Sequence, residues 1–164
     1  MLRYTKKGIE SKERIGTLPL RMSSLLRYRG VNTPEEAERF LHPRLTDLLD
    51  PSTMPGMEKA VSIIRQAVRE QWGITIYGDY DVDGICATSI MLETLRDLGA
   101  QHVRPYIPSR HEEGYGLNAD AIELLAKENR LLLTVDCGIT NLDEVALAKK
   151  RGMTVIVTDH HQLA

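Results

Sequence analysis

The sequence predicts an α/β protein in which a parallel, Rossmann-like βαβ sheet follows an amino-terminal helical segment. Three observations support this class. Helical apolar spacing dominates before Gly73, short apolar runs alternate with helical stretches after it, and two of those runs are continuously apolar, as in strands covered on both faces. We therefore expect a helical segment over residues 1–72 and an α/β domain over residues 73–164.

The helical segment carries clear start and stop signals. Thr33-Pro34-Glu35-Glu36 places a capping Thr before a first-turn Pro, with a Glu three residues after the cap, and this predicts a helix start. The helix should end near Leu41, because the following His42-Pro43 pair disfavours helical geometry. Two further elements are predicted: a turn over residues 45–49 and an amphipathic helix over residues 57–70.

The second part alternates strands and helices. The predicted elements are, in order, a strand over 74–77, a helix over 85–98, a strand over 103–107, a helix over 119–128, a strand over 131–135, a helix over 142–150 and a strand over 154–158. Asn118 and Asn141 stand at the capping positions of the last two helices. Repeated strand–helix–strand units predict parallel strands.

Composition is that of an ordinary globular chain, with 42% hydrophobic and 27% charged residues and a net charge of −2. Residues 1–30 are nevertheless basic, with eight Lys or Arg against two Glu. This basic segment is compatible with a phosphate backbone and with a solvated docking segment. No run approaches the roughly 20 apolar residues of a membrane span, so we expect a cytoplasmic protein without a membrane partner. Cys86 and Cys137 are predicted to be buried, reduced thiols.

Three carboxylates follow the first predicted strand at alternate positions: Asp79, Asp81 and Asp83. In an extended segment they would project to one side, where their repulsion calls for a cation or a raised pKa. Hard divalent ions prefer such oxygen ligands.

Further candidate ligands follow other strands. Asp136 comes directly after the third strand, and Asp159-His160-His161 after the fourth. Because open parallel sheets bind ligands beyond the carboxyl ends of their strands, we expect these side chains to meet at one rim. Aspartate and histidine without thiolate favour manganese, magnesium or zinc. Two ions that share a carboxylate form a phosphoester hydrolysis centre, and Asp136, alone at its strand end, is the expected bridge.

Other motif interpretations explain less of the sequence. The spacing from Asp79 to Gly84 is that of a calcium-binding EF-hand loop, but the twelfth position is Ile90 and a strand precedes the motif, which excludes this class. A phosphatase of the haloacid-dehalogenase type, with Asp81 as nucleophile, stays open but gives residues 159–161 no role. No phosphate-binding Gly-x-x-x-x-Gly-Lys-Ser/Thr loop is present in the sequence, which argues against an NTP-driven motor.

Three ordered motifs resemble those of the DHH phosphoesterase superfamily. They occupy residues 78–84, 135–138 and 159–161, and the resemblance extends from about Leu18 to the last residue. Within the superfamily, the chain resembles bacterial exonucleases specific for single-stranded DNA. Supporting stretches are Arg29-Gly30-Val31, Phe40-Leu41-His42-Pro43, Ile107-Pro108-Ser109-Arg110 and Gly114-Tyr115-Gly116-Leu117.

The resemblance implies a role for each matching residue. The implied metal ligands are Asp81, Asp83, Asp136 and His160; the implied catalytic residues are Asp136, Asp159 and His161; the implied substrate contacts are Arg110, Tyr115 and His161. Some relatives have a ligating His where this chain has Tyr77, so one metal is expected to bind more weakly or partly through Asp79. Because neighbouring residues at a strand end tend to point in opposite directions, His160 and His161 are expected to have separate roles.

The implied activity is metal-dependent hydrolysis of single-stranded DNA from the 5′ end to mononucleotides, for DNA repair and recombination. The implied cofactor is Mn²⁺ or Mg²⁺ in a two-metal site, and the implied partners are single-stranded DNA, single-strand-binding protein and a helicase. Two alternatives stay open: a hydrolase of oligonucleotides or cyclic dinucleotides, and an inactive module of replication complexes. The family continues beyond the third motif, so we expect an amino-terminal fragment with little or no activity alone.

Overall fold

The computed structural model describes residues 13–162. The chain forms two compact units, of which the first ends at Met54 and the second begins at Pro55. Residues 1–12 of the basic segment lie outside the described residues. Within residues 13–162, no helix combines the length and the apolar character needed to cross a bilayer.

The first unit contains two helices, α1 (Leu20–Tyr28) and α2 (Pro34–Leu41), and two short 3-10 turns at Leu45–Asp47 and Pro51–Thr53. The predicted start of α2 is confirmed. Thr33 Oγ1 accepts the Glu36 amide at 3.2 Å, and the Glu36 carboxylate accepts the Thr33 amide at 3.1 Å. The prediction omits α1, because this helix follows Pro19 without a side-chain cap and without an acidic first turn.

The second unit is a parallel sheet with helices on both faces. Its elements are α3 (Met57–Arg69), β1 (Ile74–Tyr77), α4 (Val82–Asp97), β2 (Val103–Tyr106), α5 (Ala119–Leu125), β3 (Leu131–Val135), α6 (Leu142–Lys150) and β4 (Thr154–Thr158). All three strand pairs are parallel, and the strand order is β2-β1-β3-β4. The predicted fold class is confirmed.

Alternate residues of the central strands supply two hydrophobic clusters, one on each face of the sheet. On one face, Ile76 and Leu133 pack with side chains of α3 and α4. On the other face, Leu132 packs with side chains of α5 and α6. Every residue of β3 is buried, which confirms the expectation for its continuously apolar run. For the other such run, in β4, the expectation of cover on both faces is wrong, because β4 is last in the strand order and Val157 is exposed. Helix α3 therefore belongs to the core of the α/β unit, whereas the domain boundary at residues 72/73 stays a prediction.

Several predicted details differ from the structure. Helix α4 begins three residues before the predicted start, because Asp81 caps it by accepting the amides of Asp83 and Gly84. Cys86 lies on this helix and is exposed, so the prediction that it is buried is wrong; its position on α4 faces away from the packed core. Cys137 is buried, as predicted.

The strand order creates a crevice at the carboxyl ends of β1 and β3. The chain continues from β1 to the neighbouring β2 on one side, whereas it continues from β3 to β4 on the other side. The connections that leave these two central strands therefore diverge, and such a switch point is where open α/β sheets bind ligands. Asp79 and Asp81 follow β1, and Asp136 follows β3.

Candidate metal centre

The turn after β1 presents two carboxylates at the crevice. Asp79 is buried, and its Oδ1 has no hydrogen-bond partner among residues 13–162. Asp81 Oδ1 accepts the amides of Asp83 at 2.9 Å and of Gly84 at 3.2 Å. A Cβ at Gly84 would lie 2.5 Å from the Asp79 carbonyl oxygen, so glycine allows the start of α4 to pack directly on the Asp79 backbone. Hydrogen bonds thus hold the Asp81 carboxylate, and close packing against Gly84 holds the Asp79 backbone.

Asp136 occupies a strained backbone position at the end of β3. Its φ is +62°, in the left-handed region that non-glycine residues seldom adopt. Its amide donates to the Thr158 carbonyl at 3.0 Å, and Thr134 Oγ1 donates to the Cys137 carbonyl at 2.8 Å. These bonds hold a conformation that costs energy, as is common at functional sites. The Asp136 side chain is only 7% exposed.

The segment after β4 fixes the orientation of one imidazole. Asp159 Oδ1 accepts the amide of His161 at 3.0 Å and lies 2.7 Å from its Nδ1, while Oδ2 accepts the Ile139 amide at 3.0 Å. Because a carboxylate only accepts hydrogen bonds, Nδ1 of His161 carries the proton, and Nε2 has the free lone pair in the neutral ring.

The same contacts shift the pKa values of this pair. Burial opposes ionisation of Asp159, but the hydrogen bonds from the His161 and Ile139 amides outweigh it and lower its pKa. The hydrogen bond to Asp159 raises the pKa of His161 above its usual value, although partial desolvation opposes this shift. The pair is therefore an ionised carboxylate that favours a protonated imidazole.

Two groups of potential ligands converge on the rim, and both contain Asp136. One comprises Asp79, Asp81 and Asp136, and the other comprises Asp136, His160 and His161; within each group the ligand atoms lie within 4.8 Å of one another. Nε2 of His160 lies 2.9 Å from Asp136 Oδ1, yet this oxygen has no hydrogen-bond partner among the described residues.

These residues fit divalent metal ions. Ligands at right angles around an ion with bonds of about 2.1 Å lie about 3 Å apart, which matches the approach of His160 to Asp136. The unpaired carboxylate oxygens of Asp79 and Asp136 are buried and costly to leave unpaired, and a cation would compensate both. The donor set of carboxylates and imidazoles suits manganese, magnesium or zinc.

One predicted ligand does not join either group. Asp83 is exposed in the first turn of α4, where its amide donates to Asp81. Within residues 13–162, its carboxylate is absent from both ligand groups. The alternation that placed Asp79, Asp81 and Asp83 on one side does not hold, because the helix begins at Val82.

The expectation that the His160 and His161 side chains point in opposite directions is wrong. The His160 and His161 rings lie 4.5 Å apart, with 31° between their planes. Strand β4 ends at Thr158, so the alternation of strand side chains does not extend to these residues. The two rings have different partners: His160 lies beside Asp136, whereas His161 is hydrogen-bonded to Asp159.

A row of side chains from the loop between β2 and α5 and from the turn after β1 continues from the histidines. The Tyr115 ring meets the His161 ring edge-on at 5.7 Å, Tyr80 meets Tyr115 at 6.5 Å, and the Arg110 guanidinium lies 5.4 Å from the Tyr80 ring. The structure thus brings the predicted residues Arg110 and Tyr115 to the site. Tyr80 was not predicted, although it stands inside the carboxylate motif and was recognisable there as an aromatic residue at the rim.

Tyr77 is not available as a ligand. Its side chain is fully buried, and its hydroxyl donates to the Gly116 carbonyl at 3.1 Å. The aromatic ring stacks on Tyr106 with 5.0 Å between centroids. This position therefore serves the packing of the neighbouring loop.

Comparison with known proteins gives a consistent result. Residues 73–164 match the DHH family, N-terminal domain, which confirms the resemblance noted from the motifs. The single-stranded-DNA-specific exonuclease RecJ of Bacillus subtilis (strain 168) is 46% identical over 151 residues, covering 92% of this chain and 19% of that protein. The chain therefore spans about a fifth of the length of this relative.

Two solved structures are similar as well. A crystal structure of exonuclease RecJ bound to manganese has a TM-score of 0.66 and 40% sequence identity, covering 71% of this chain and 30% of that chain. RecJ from Thermus thermophilus in complex with Mn²⁺ has a TM-score of 0.64 and 33% identity, covering 88% of this chain and 19% of that chain. Both are manganese complexes.

Proposed function

The chain belongs to the DHH family, and we propose that it forms the metal-binding part of an exonuclease that hydrolyses single-stranded DNA. One observation carries the proposal: two groups of carboxylates and imidazoles share Asp136 at the switch point of the sheet. The similarity to RecJ proteins described as single-stranded-DNA-specific exonucleases supplies the substrate class. The proposed cofactor is Mn²⁺ or Mg²⁺.

The proposed ligands are Asp79, Asp81, Asp83, Asp136 and His160, with Asp136 shared between two ions. Divalent ions at such a centre supply Lewis-acid catalysis for phosphodiester hydrolysis. Asp81 is held for this role by its two amide hydrogen bonds, and Asp136 by its backbone conformation. Asp83 has the weakest structural support, because it belongs to neither ligand group.

His161 is proposed to face the scissile phosphate. Asp159 holds its Nδ1 proton, which leaves Nε2 to exchange a proton with the substrate. The ionised Asp159 carboxylate stabilises the protonated form of the ring. Tyr115 and Arg110 are proposed to contact the DNA; burial raises the pKa of Tyr115 to about 12, with Asp159 and Asp79 adding to the shift, so its hydroxyl stays neutral.

Cleavage from the 5′ end to mononucleotides, a role in DNA repair and recombination, and cooperation with single-strand-binding protein and a helicase are further parts of the proposal. They rest on similarity alone. A cytoplasmic location is likewise part of the proposal.

A chimaeric enzyme tests the proposed activity. The chain would replace the matching segment of the Bacillus subtilis exonuclease, to which it is 46% identical over 151 residues. The chimaera should degrade 5′-labelled single-stranded DNA to mononucleotides in Mn²⁺ and should stop in chelator. The matched control carries Asp136→Asn and should be inactive.

Two results would contradict the proposal. A folded chimaera that binds Mn²⁺ but leaves single-stranded DNA intact would favour the inactive module. Cleavage confined to short oligonucleotides or cyclic dinucleotides would favour the other class of DHH hydrolase.

A further inference from the structure

The loop between β2 and α5, residues 107–118, carries both proposed DNA contacts, Arg110 and Tyr115. Tyr115 stands between Gly114, with φ of +79°, and Gly116, with φ of +84°. Two flanking glycines give this segment many accessible conformations, so a single position of Tyr115 requires contacts elsewhere.

One anchor closes the loop on the side of Arg110. The Tyr106 hydroxyl donates to Glu113 Oε1 at 2.6 Å, and the Ser109 amide donates to Glu113 Oε2 at 2.7 Å. The Glu113 amide in turn donates to the Ser109 carbonyl at 2.8 Å. Glu113 thus closes a compact turn that contains Arg110, and its hydrogen bond with Tyr106 links this turn to the end of β2.

A second anchor holds the chain directly after Tyr115. The buried Tyr77 hydroxyl donates to the Gly116 carbonyl at 3.1 Å, and the Leu117 amide donates to Asn141 Oδ1 at 3.2 Å. A Cβ at Gly116 would lie 2.5 Å from Asn141 Oδ1, so the loop backbone is pressed against this side chain. Asn141 is itself fixed, because its Nδ2 donates to Glu144 Oε2 at 3.2 Å.

The anchored segment places Tyr115 against the catalytic rim. The Tyr115 hydroxyl lies 3.1 Å from His161 Nδ1 and donates to the Asp136 carbonyl at 3.5 Å. Tyr115 is 47% exposed, and its ring also meets Tyr80 edge-on, so its position depends on these few contacts and on the anchored backbone beside it.

We propose that Tyr77 and Asn141 are positioning residues that orient His161 through Tyr115. Their hydrogen bonds to the loop both go to the backbone directly after Tyr115, and Tyr115 carries their effect to the imidazole. Tyr77 stands where some relatives place a metal ligand, and in this chain it anchors the loop instead. The inference rests on the proposed function for its catalytic consequence, but the positioning itself is a property of this chain.

Nuclear magnetic resonance of the imidazole nitrogens tests the positioning in the 164-residue chain, without DNA or metal. Tyr115→Phe removes the hydroxyl beside His161 and gives the reference shift of the Nδ1 resonance. Tyr77→Phe and Asn141→Ala should each move the His161 resonance toward that reference. Tyr28→Phe, a matched change at an exposed position of α1, should leave it unchanged.

A His161 resonance that is unchanged in both Tyr77→Phe and Asn141→Ala would overturn the proposal, as would an unchanged resonance in Tyr115→Phe. Asn141→Ala removes a half-buried side chain and keeps the fully buried Tyr77 ring, so it decides the matter if Tyr77→Phe fails to fold. Backbone amide spectra of each variant establish that the sheet is intact.

A double-mutant cycle in the chimaera tests the catalytic consequence. Tyr77→Phe should lower kcat by about 10- to 100-fold, as small misplacements of catalytic groups do. The double variant Tyr77→Phe/Tyr115→Phe should lose no more than Tyr115→Phe alone, because both act on His161 by one route. If the losses of kcat in the two single variants were additive in the double variant, Tyr77 would have a general structural role and would not act through Tyr115. An inactive parent chimaera would contradict the proposed function, while the resonance experiment would still decide the positioning.

Discussion

Nε2 of His160 lies 2.9 Å from Oδ1 of Asp136, and the two atoms are not aligned as a hydrogen bond. The distance is that of two ligands on one ion, and the pair joins a carboxylate after β3 to an imidazole after β4. Because both residues belong to this chain, we expect metal binding to be measurable with the isolated chain.

Manganese should stabilise the 164-residue chain. At a concentration 100 times the dissociation constant, one bound ion adds about 2.7 kcal/mol to the free energy of unfolding, which corresponds to a rise in Tm of roughly 5–10 °C. Asp136→Asn should abolish most of this rise, since it removes the shared carboxylate. Asn is preferred to Ala here because Asn tolerates a left-handed backbone.

Asp97→Asn serves as the control for the manganese titration. It removes an exposed carboxylate near the far end of α4, so the rise in Tm should be that of the unchanged chain. An equal response in Asp136→Asn and Asp97→Asn would remove Asp136 from the ligands.

Two substitutions at Asp81 should separate its two roles. Asp81→Ala loses the cap of α4 and should cost about 1 kcal/mol, which lowers Tm by roughly 2–4 °C without metal. Asp81→Asn keeps a capping oxygen and should melt near the unchanged chain. Both should respond less to manganese, and a full response in Asp81→Asn would limit Asp81 to a structural role.

His160 and His161 should differ in calorimetric titrations with manganese. His160→Ala should weaken binding, because it removes the imidazole beside Asp136. His161→Ala should leave the affinity nearly unchanged, and in the chimaera it should lower kcat by something like 10²- to 10⁴-fold, as expected for a general acid–base group. Equal losses of affinity would show that both rings act as ligands.

The 164-residue chain alone should have little or no nuclease activity. It spans about a fifth of the length of the Bacillus subtilis relative, and we expect hydrolysis of DNA to need more of such a protein than this chain supplies. The measurement is release of nucleotides from end-labelled single-stranded DNA in Mn²⁺. Robust, chelator-sensitive degradation by the purified chain would contradict this prediction.

The capping box of α2 should make stability depend on pH. Hydrogen bonds from the Asn32 and Thr33 amides lower the pKa of Glu36 in the folded state. Glu36 therefore stabilises the fold fully above its unfolded-state pKa of about 4.3, and this contribution is lost as the pH falls through the lower folded-state value. The difference in unfolding free energy between the unchanged chain and Glu36→Gln should shrink between about pH 6 and pH 3.

Thr33→Ala is the matched control for that pH series. The Thr33 hydroxyl caps the same helix but does not titrate, so its loss should cost about 1 kcal/mol at every pH. If the difference in unfolding free energy between the unchanged chain and Glu36→Gln stayed constant with pH, the charge of the Glu36 carboxylate would not contribute to stability.

The sequence was sufficient to predict the sheet and the position of the rim. The bounds of β1, β3 and β4 agree with their apolar runs, and the signal is strongest for β3, whose residues are all buried and almost all apolar. Local sequence signals failed to predict those positions that depend on tertiary contacts. The displacement of Asp83 follows from the early start of α4, and the pairing of His160 with Asp136 depends on two strands adjacent only in space.

The contacts of the loop between β2 and α5 could not be predicted from the sequence, for a related reason. Tyr77, Gly116 and Asn141 lie in three separate segments, and no spacing rule joins them. They meet in space where the end of β1, the loop before α5 and the residue before α6 come together.

The left-handed backbone at Asp136 also restricts how this site can change during evolution. Asn and Gly adopt that conformation more readily than most residues, and each is a single nucleotide substitution away from the codons for Asp. Either change removes the carboxylate that both ligand groups share and retains the turn after β3. A gene for this fold can therefore lose its proposed chemistry in one mutational step and still encode a folded protein, open to selection for a purely structural role.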